Sequence, residues 1–413
     1  MQLSTTFAPL REKRFARYLT GEAISMVGSW MQFFAQGWVL TSLTQKAMIL
    51  GAVNFSSGIP MLLLTLVGGT FADRYDKRRI LYAIVTVQIA CAVAIGRLVA
   101  LHEIQIWHIF VTSVILGIAA AFDVPTVAAL VPELVSREHI SAAIALDRAV
   151  FHFTRLLGPA MAGWLIGQFG TASAYYLNAL SFLAIVVALL TIGPRPIGTA
   201  AEEEQRKTGI KEGLDFVKAD APTRSMILLM SATTVFVSPF LLIIMPLYSR
   251  DTLGLPAEKM GLFMAISGIG SFTGALGLLS IPHGKRAAAL KCAGAACAIG
   301  LAGLSIAPTL PIACCAIVCL ALGLSTTFGI ANIVIQERTP GPIRGRVSSV
   351  AGMAFFGLVP FSGLMISGAV DLLGMRPAMF SGAVCFGACV AMLLAGVKQL
   401  ASAPGTVEVK TEV

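Results

Sequence analysis

The chain has 413 residues, of which 56% are hydrophobic and only 12% charged, and its mean hydropathy is +0.83. A water-soluble domain carries about a quarter charged residues, so most of this surface faces something other than water. Spans of about 20 apolar residues match the hydrocarbon core of a bilayer, and without the alternating period of barrel strands they are helices, because lipid offers backbone amides no partner.

Twelve spans are predicted, near 17–42, 46–71, 80–101, 106–135, 141–167, 173–193, 225–249, 257–281, 288–307, 310–335, 348–370 and 376–397. The first follows a basic start, Arg11, Lys13, Arg14 and Arg17, but is too long for a signal-peptide core and lacks a small-residue cleavage site, so it reads as helix 1. It carries Glu22 near its beginning and Gln32 and Gln36 on one face. Helix 4 carries Asp123, about 25 Å along its axis at 1.5 Å per residue. Helix 5 carries Asp147, then Arg148, His152 and Arg155 spaced so as to share one face. Gly158-Pro159 and Gly163 follow as a small-residue seam for close packing. Asn178 lies in helix 6, and Asn332 in helix 10.

Basic residues gather on one side of this arrangement: before helix 1, between helices 2 and 3, through 195–224, at Lys285-Arg286, and at Arg338, Arg344 and Arg346. Few lie on the other side, chiefly Lys46, Arg250, Lys259 and Arg376. The positive-inside rule then places both termini in the cytoplasm. The formal charge of +9 reports topology and implies no nucleic-acid partner. The eight cysteines fall inside predicted helices with no CxxC pair, which gives no disulfide framework, and no metal or cofactor site is predicted.

The chain repeats itself. Gly51, Ser57, Gly58 and Ile59 recur as Gly261, Ser267, Gly268 and Ile269, and Glu133 at the end of helix 4 recurs as Glu337 at the end of helix 10. The expected organisation is an N-terminal six-helix half (1–193), a linker (194–224) and a C-terminal six-helix half with a short tail (225–413). The linker opens with Pro194-Arg195-Pro196, passes Glu202-Glu203-Glu204 and ends in an amphipathic stretch. There Ile210, Leu214 and Val217 suggest a helix lying on the membrane surface.

Gly68-Gly69-Thr70-Phe71-Ala72-Asp73-Arg74, closed by Arg78-Arg79, stands between helices 2 and 3. It resembles the signature loop of the major facilitator superfamily of secondary transporters. Phe122-Asp123-Val124-Pro125-Thr126, Val131-Pro132-Glu133 and Arg155-Leu156-Leu157-Gly158-Pro159 are similar to a bacterial branch that includes drug-efflux and enterobactin exporters. The resemblance implies an all-α integral membrane fold of about twelve helices in two parallel six-helix halves. It also implies a latch, with Asp73 accepting bonds from the start of helix 11 near Ser348-Ser349. Gly69, Asp73, Arg74, Arg78 and Asp123 are the gating candidates. The chain departs from drug antiporters in having no arginine between Trp107 and Phe122, and Thr154 where their helix 5 series has glycine.

Ionisable groups inside a span are costly and so are functional candidates. Asp123 and Glu22 are the candidates for proton coupling. Arg155, Gln32, Gln36, Asn178 and Asn332 are the candidates for substrate contact. Helices 7, 8, 9, 11 and 12 have essentially no midspan charge, and their phenylalanines and methionines, among them Phe240, Met264, Phe355, Phe356 and Phe361, suit apolar cavity walls. The expectation is a monomeric, proton-coupled exporter of amphipathic small molecules, drugs or a siderophore, in a bacterial inner membrane. The alternatives are a lysophospholipid flippase of the same fold and a non-transporting membrane sensor. No paired catalytic aspartate, Ser-Lys dyad, HExxH or phosphate-binding loop suggests an enzyme.

Overall fold

The computed structural model describes residues 7–193 and 210–395. Among these residues there is no strand, and twelve long helices correspond to the predicted spans. In the first half they are α1 (Lys13–Leu43), α2 (Ala47–Arg74), α3 (Lys77–Ala100), α4 (Ile106–Leu134), α5 (Ile140–Phe169) and α6 (Ala172–Ile192). In the second they are α7 (Ala221–Thr252), α8 (Ala257–Gly277), α9 (Arg286–Ile306), α10 (Leu310–Arg338), α11 (Arg344–Leu373) and α12 (Met375–Ala395). Ten of them are long and apolar enough to cross a membrane. The other two, α1 and α5, hold Glu22, Gln32 and Gln36 and the run from Asp147 to Arg155. Their lower apolarity is the mark of helices that face a polar interior.

Within the first half α1 packs on α5 and α6, α2 on α4, and α3 on α4 and α6; within the second α10 packs on α8 and α9, and α9 on α12. Two seams join the halves, α2 with α11 and α5 with α8. The internal repeat explains both. A Cβ on Gly51 would lie 2.5 Å from the Ser367 Oγ and 2.8 Å from the Gly363 carbonyl oxygen, and one on Gly58 would lie 2.3 Å from the Pro360 ring. Their repeat partners do the same on the other seam, where a Cβ on Gly261 would lie 2.5 Å from the Pro159 carbonyl oxygen and one on Gly268 would lie 3.1 Å from the Leu156 Cα. Small residues let backbones approach where lipid supplies no hydrophobic drive for association. The repeated glutamates also occupy equivalent places, Glu133 pairing with Lys77 at 2.9 Å and Glu337 with Arg286.

The seams run along only part of each helix. Leu62 meets Gly357, but Leu66, one turn on, is 76% exposed, and Phe356 is 55% exposed. Beyond Gly268 and Leu156, Phe153, Phe272 and Leu276 are exposed in the same way. The halves are therefore joined at the end bearing the α1–α2 and α7–α8 loops, here called the far end. They part toward the end bearing the segment between the halves, the linker end.

The linker's Pro194-Arg195-Pro196 and Glu202-Glu203-Glu204 lie outside the described residues. Its amphipathic stretch is the helix Ile210–Ala219, and it packs against the start of α11, where Gly213 meets Arg346 and Glu212 pairs with Arg346. Val217 is buried while Leu214 is exposed. At its end Asp220 caps α7 through the Thr223 amide and takes two bonds from the Arg338 guanidinium, at 2.9 and 2.7 Å. Burial alone would raise the Asp220 carboxyl, but the bonds from Arg338 and Thr223 outweigh it and hold it below the ordinary carboxylate range.

Candidate functional site: a cavity between the halves

Two connected lobes open between the halves. The lobe nearer the far end, about 550 Å³, is lined by Gln32, Gln36, Asn54, Ser113 and Asn178 from the first half and by Met264, Phe355 and Phe356 from the second. The lobe nearer the linker end, about 440 Å³, is lined by Tyr18, Glu22, Trp30, Gln88, Asp123 and Phe151. Ser29, Phe33, Asn54, Gln88, Phe182 and Leu242 line both, so the space is continuous.

The polar wall is built on α1. Glu22, Ser25, Ser29, Gln32 and Gln36 all line the cavity. Their spacing of three and four residues places them on one helical stripe. The Asn178 amide donates to Gln32 Oε1 at 2.7 Å, and the Ser181 hydroxyl donates to Asn178 Oδ1 at 3.1 Å. Gly28 makes this junction possible, since a Cβ there would lie 2.1 Å from Ser181 Oγ and 2.4 Å from Asn178 Oδ1. Gln36 donates to Ser113 Oγ at 3.4 Å. Thus Asn178, only 1% exposed, fixes the orientation of Gln32 at the cavity wall.

Glu22 and Asp123 face the linker-end lobe together, and among the described residues neither has a hydrogen-bond or ion-pair partner. Asp123 makes no ion pair with Arg74. Tyr18 beside them is wholly buried, and its hydroxyl has no hydrogen-bond partner among the described residues. An unpaired carboxylate is costly in an apolar setting, which favours a bound proton or cation.

The remaining candidates lie elsewhere. Arg155 sets its guanidinium over the Trp30 ring at 5.5 Å and lines neither lobe. Asn332 is exposed on α10 and lines neither lobe. Of the expected apolar walls, Met264, Phe355 and Phe356 line the cavity, Phe240 is buried in packing, and Phe361 is exposed against Phe55.

In the last two turns of α2, Gly68 is the contact glycine. A Cβ there would lie 2.1 Å from the Ala121 carbonyl oxygen of α4, whereas one on Gly69 meets nothing within 4 Å. Asp73 and Arg74 close α2. Asp76 caps α3 through the Arg78 amide, and its carboxylate binds the Arg78 guanidinium at 2.8 Å. That bond holds Asp76 below the ordinary carboxylate range, against a smaller effect of burial. Arg78 is thus a local loop brace. Sequence reasoning passed over Tyr18, Ser25, Ser29 and Trp30; the three- and four-residue spacing from Glu22 to Gln36 marks Ser25 and Ser29 and extends back to Tyr18, whereas Trp30 lies off that stripe.

The sequence profile described as transmembrane secretion effector matches residues 4–408. The uncharacterized MFS-type transporter YfiS of Bacillus subtilis is 28% identical over 63% of this chain, a match that takes in 62% of that relative's length. Multidrug efflux pump Tap of Mycobacterium tuberculosis is 28% identical over 92% of this chain and 93% of that one. The staphyloferrin A transporter of Staphylococcus aureus is 23% identical over 63% and 65%. Among solved structures, a bacterial homolog of the human lysosomal transporter Spinster, inward-facing and occupied, is similar with a TM-score of 0.71 over 94% of this chain and 97% of that one, at 14% identity. With twelve helices in this arrangement around a central cavity, and a profile match along almost its whole length, the chain belongs to the transmembrane secretion effector family of major facilitator superfamily transporters and is a multi-pass membrane protein.

Proposed function

We propose that the protein is a proton-coupled exporter of amphipathic small molecules that works by alternating access. The observation that carries this reading is the division of the cavity: two unpaired carboxylates, Glu22 and Asp123, at the linker end, and an apolar lobe with a few fixed amides toward the far end. The positive-inside pattern makes the linker end cytoplasmic, with both termini inside a bacterial inner membrane. The cavity then faces the cytoplasm in this state. The greasy part of a substrate fits against Phe355, Phe356 and Met264, and its polar part meets Gln32 and Gln36. After the far end opens, a proton enters and neutralises Glu22 or Asp123 as the substrate leaves, and it is released inward when the linker end reopens. Monomers suffice, since both cavity walls come from one chain.

The relatives that share this family support both drugs and siderophores as substrate classes. The reading is tested by efflux from inside-out vesicles energised with a proton gradient, using cationic dyes, macrolides and siderophores. Gradient-dependent uptake of at least one class is expected. Uptake that persists after the gradient is collapsed contradicts proton coupling.

A further inference from the structure

Asp371 sits in the last turn of α11, two residues before the helix ends at Leu373. A carboxylate there has the wrong sign for its own helix, whose C-terminus carries partial negative charge. It serves another helix instead. Asp371 Oδ1 accepts from the Ala47 amide at 2.7 Å, and Oδ2 accepts from the Met48 amide at 2.8 Å. These are the first two amides of α2, which have no acceptor within their own helix. One carboxylate from the second half thus satisfies two donors of the first half, at the far end of the α2–α11 seam.

We infer that Asp371 is the latch that holds the far end shut in this state, an inference that rests on the alternating-access reading. Opening the far end must carry Ala47 and Met48 away from Asp371, leaving two helix-start amides to water. The charge-assisted bonds are therefore made in one state and lost in the other, which is the condition for biasing an equilibrium. The arrangement also mirrors the sequence at the opposite end of the same helix pair. α2 closes with Asp73-Arg74 toward the end where α11 starts, and α11 closes with Asp371 toward the end where α2 starts. Each of two antiparallel helices carries the same wrong-sign aspartate in its last turn. The seam beneath the latch is tight, with Ser367 and Gly363 against Gly51. On the other seam, Gln168 of α5 donates to Glu258 of α8 at 3.2 Å.

The test is residue-resolved hydrogen exchange on the full chain in lipid nanodiscs, comparing wild type with Asp371→Asn. The amides of Ala47 and Met48 are expected to exchange about tenfold faster, the size of effect that loss of a charge-assisted bond gives. Exchange is also expected to rise at the start of α8, residues 257–260, because the far end opens as a unit. Gly51→Leu, which wedges the same seam with Asp371 intact, is expected to reproduce the α8 effect. Unchanged exchange at Ala47 and Met48 overturns the proposal. So does faster exchange confined to those two amides, which makes Asp371 a local cap only. If the exchange pattern is as expected but the wild type moves no tested compound in vesicles, the latch stands and the transport reading fails.

Discussion

Gly261→Ala is expected to shift the protein out of the state described here. A Cβ at this position would lie 2.5 Å from the Pro159 carbonyl oxygen and 2.8 Å from the Gly163 Cα. Close carbon–oxygen contacts between helices are about 3.3 Å, so α5 and α8 must separate by roughly 0.8 Å. Both obstacles are backbone atoms inside helices, and neither can rotate aside. Overpacking of this kind costs about 1–3 kcal/mol. A state in which the seam is already open escapes that cost, and at about 1.4 kcal/mol per factor of ten the population ratio moves by roughly 5- to 140-fold. The assay is a distance distribution by electron–electron double resonance, with spin labels at Thr171 and Lys259 on either side of the seam, in a background with the native cysteines replaced. A longer far-end distance is expected in Gly261→Ala. Gly277→Ala is the control, because a Cβ there meets nothing within 4 Å. A folded Gly261→Ala protein with the wild-type distance distribution refutes the view that this seam closes the far end.

Asp220→Ala is expected to lower the thermal stability by about 2 kcal/mol, since it strips a cap from α7 and leaves the Arg338 guanidinium unpaired. Because the folded Asp220 titrates below its ordinary value, its contribution is present above the ordinary carboxylate range and is lost as pH falls through the depressed value. Melting curves of wild type and Asp220→Ala are therefore expected to converge in acid, and a gap that persists there contradicts the assignment. Gln32→Leu is expected to raise the KM for substrates with a polar head several-fold while leaving proton movement per substrate unchanged, measured by transport and pH-dye signals together. A changed stoichiometry places Gln32 in coupling instead.

The twelve helices were legible because apolar spans of bilayer length leave few alternatives, and the loop from Gly68 to Arg79 narrowed the fold further. The repeat of Gly51 and Gly58 as Gly261 and Gly268 was legible too, and the structure gives it a physical meaning as the two seams. Depth along a helix was also readable, which is why Glu22 and Asp123 are found at the same end of the cavity. Azimuth was harder. Asn332 is as polar as Asn178, but Asn178 points inward on α6, whereas Asn332 is on a part of α10 outside both lobes. Whether a buried arginine meets substrate or a ring depends on a neighbour from another helix, and Trp30 is 125 residues away from Arg155 in the chain. Asp371 belongs to no motif in the sequence. Its wrong sign for its own helix dipole was the clue, and it becomes informative only once the start of α2 is known to lie beside it.

The proposed coupling of proton entry to substrate export rests on Glu22 and Asp123. The most direct measurement uses the purified protein in liposomes containing a pH dye, with substrate added from the panel above. Wild type is compared with Glu22→Gln, Asp123→Asn and the double variant. A substrate-evoked proton flux is expected in wild type and is abolished in the double variant, while substrate still equilibrates down its gradient. An undiminished flux in the double variant contradicts coupling through these two carboxylates.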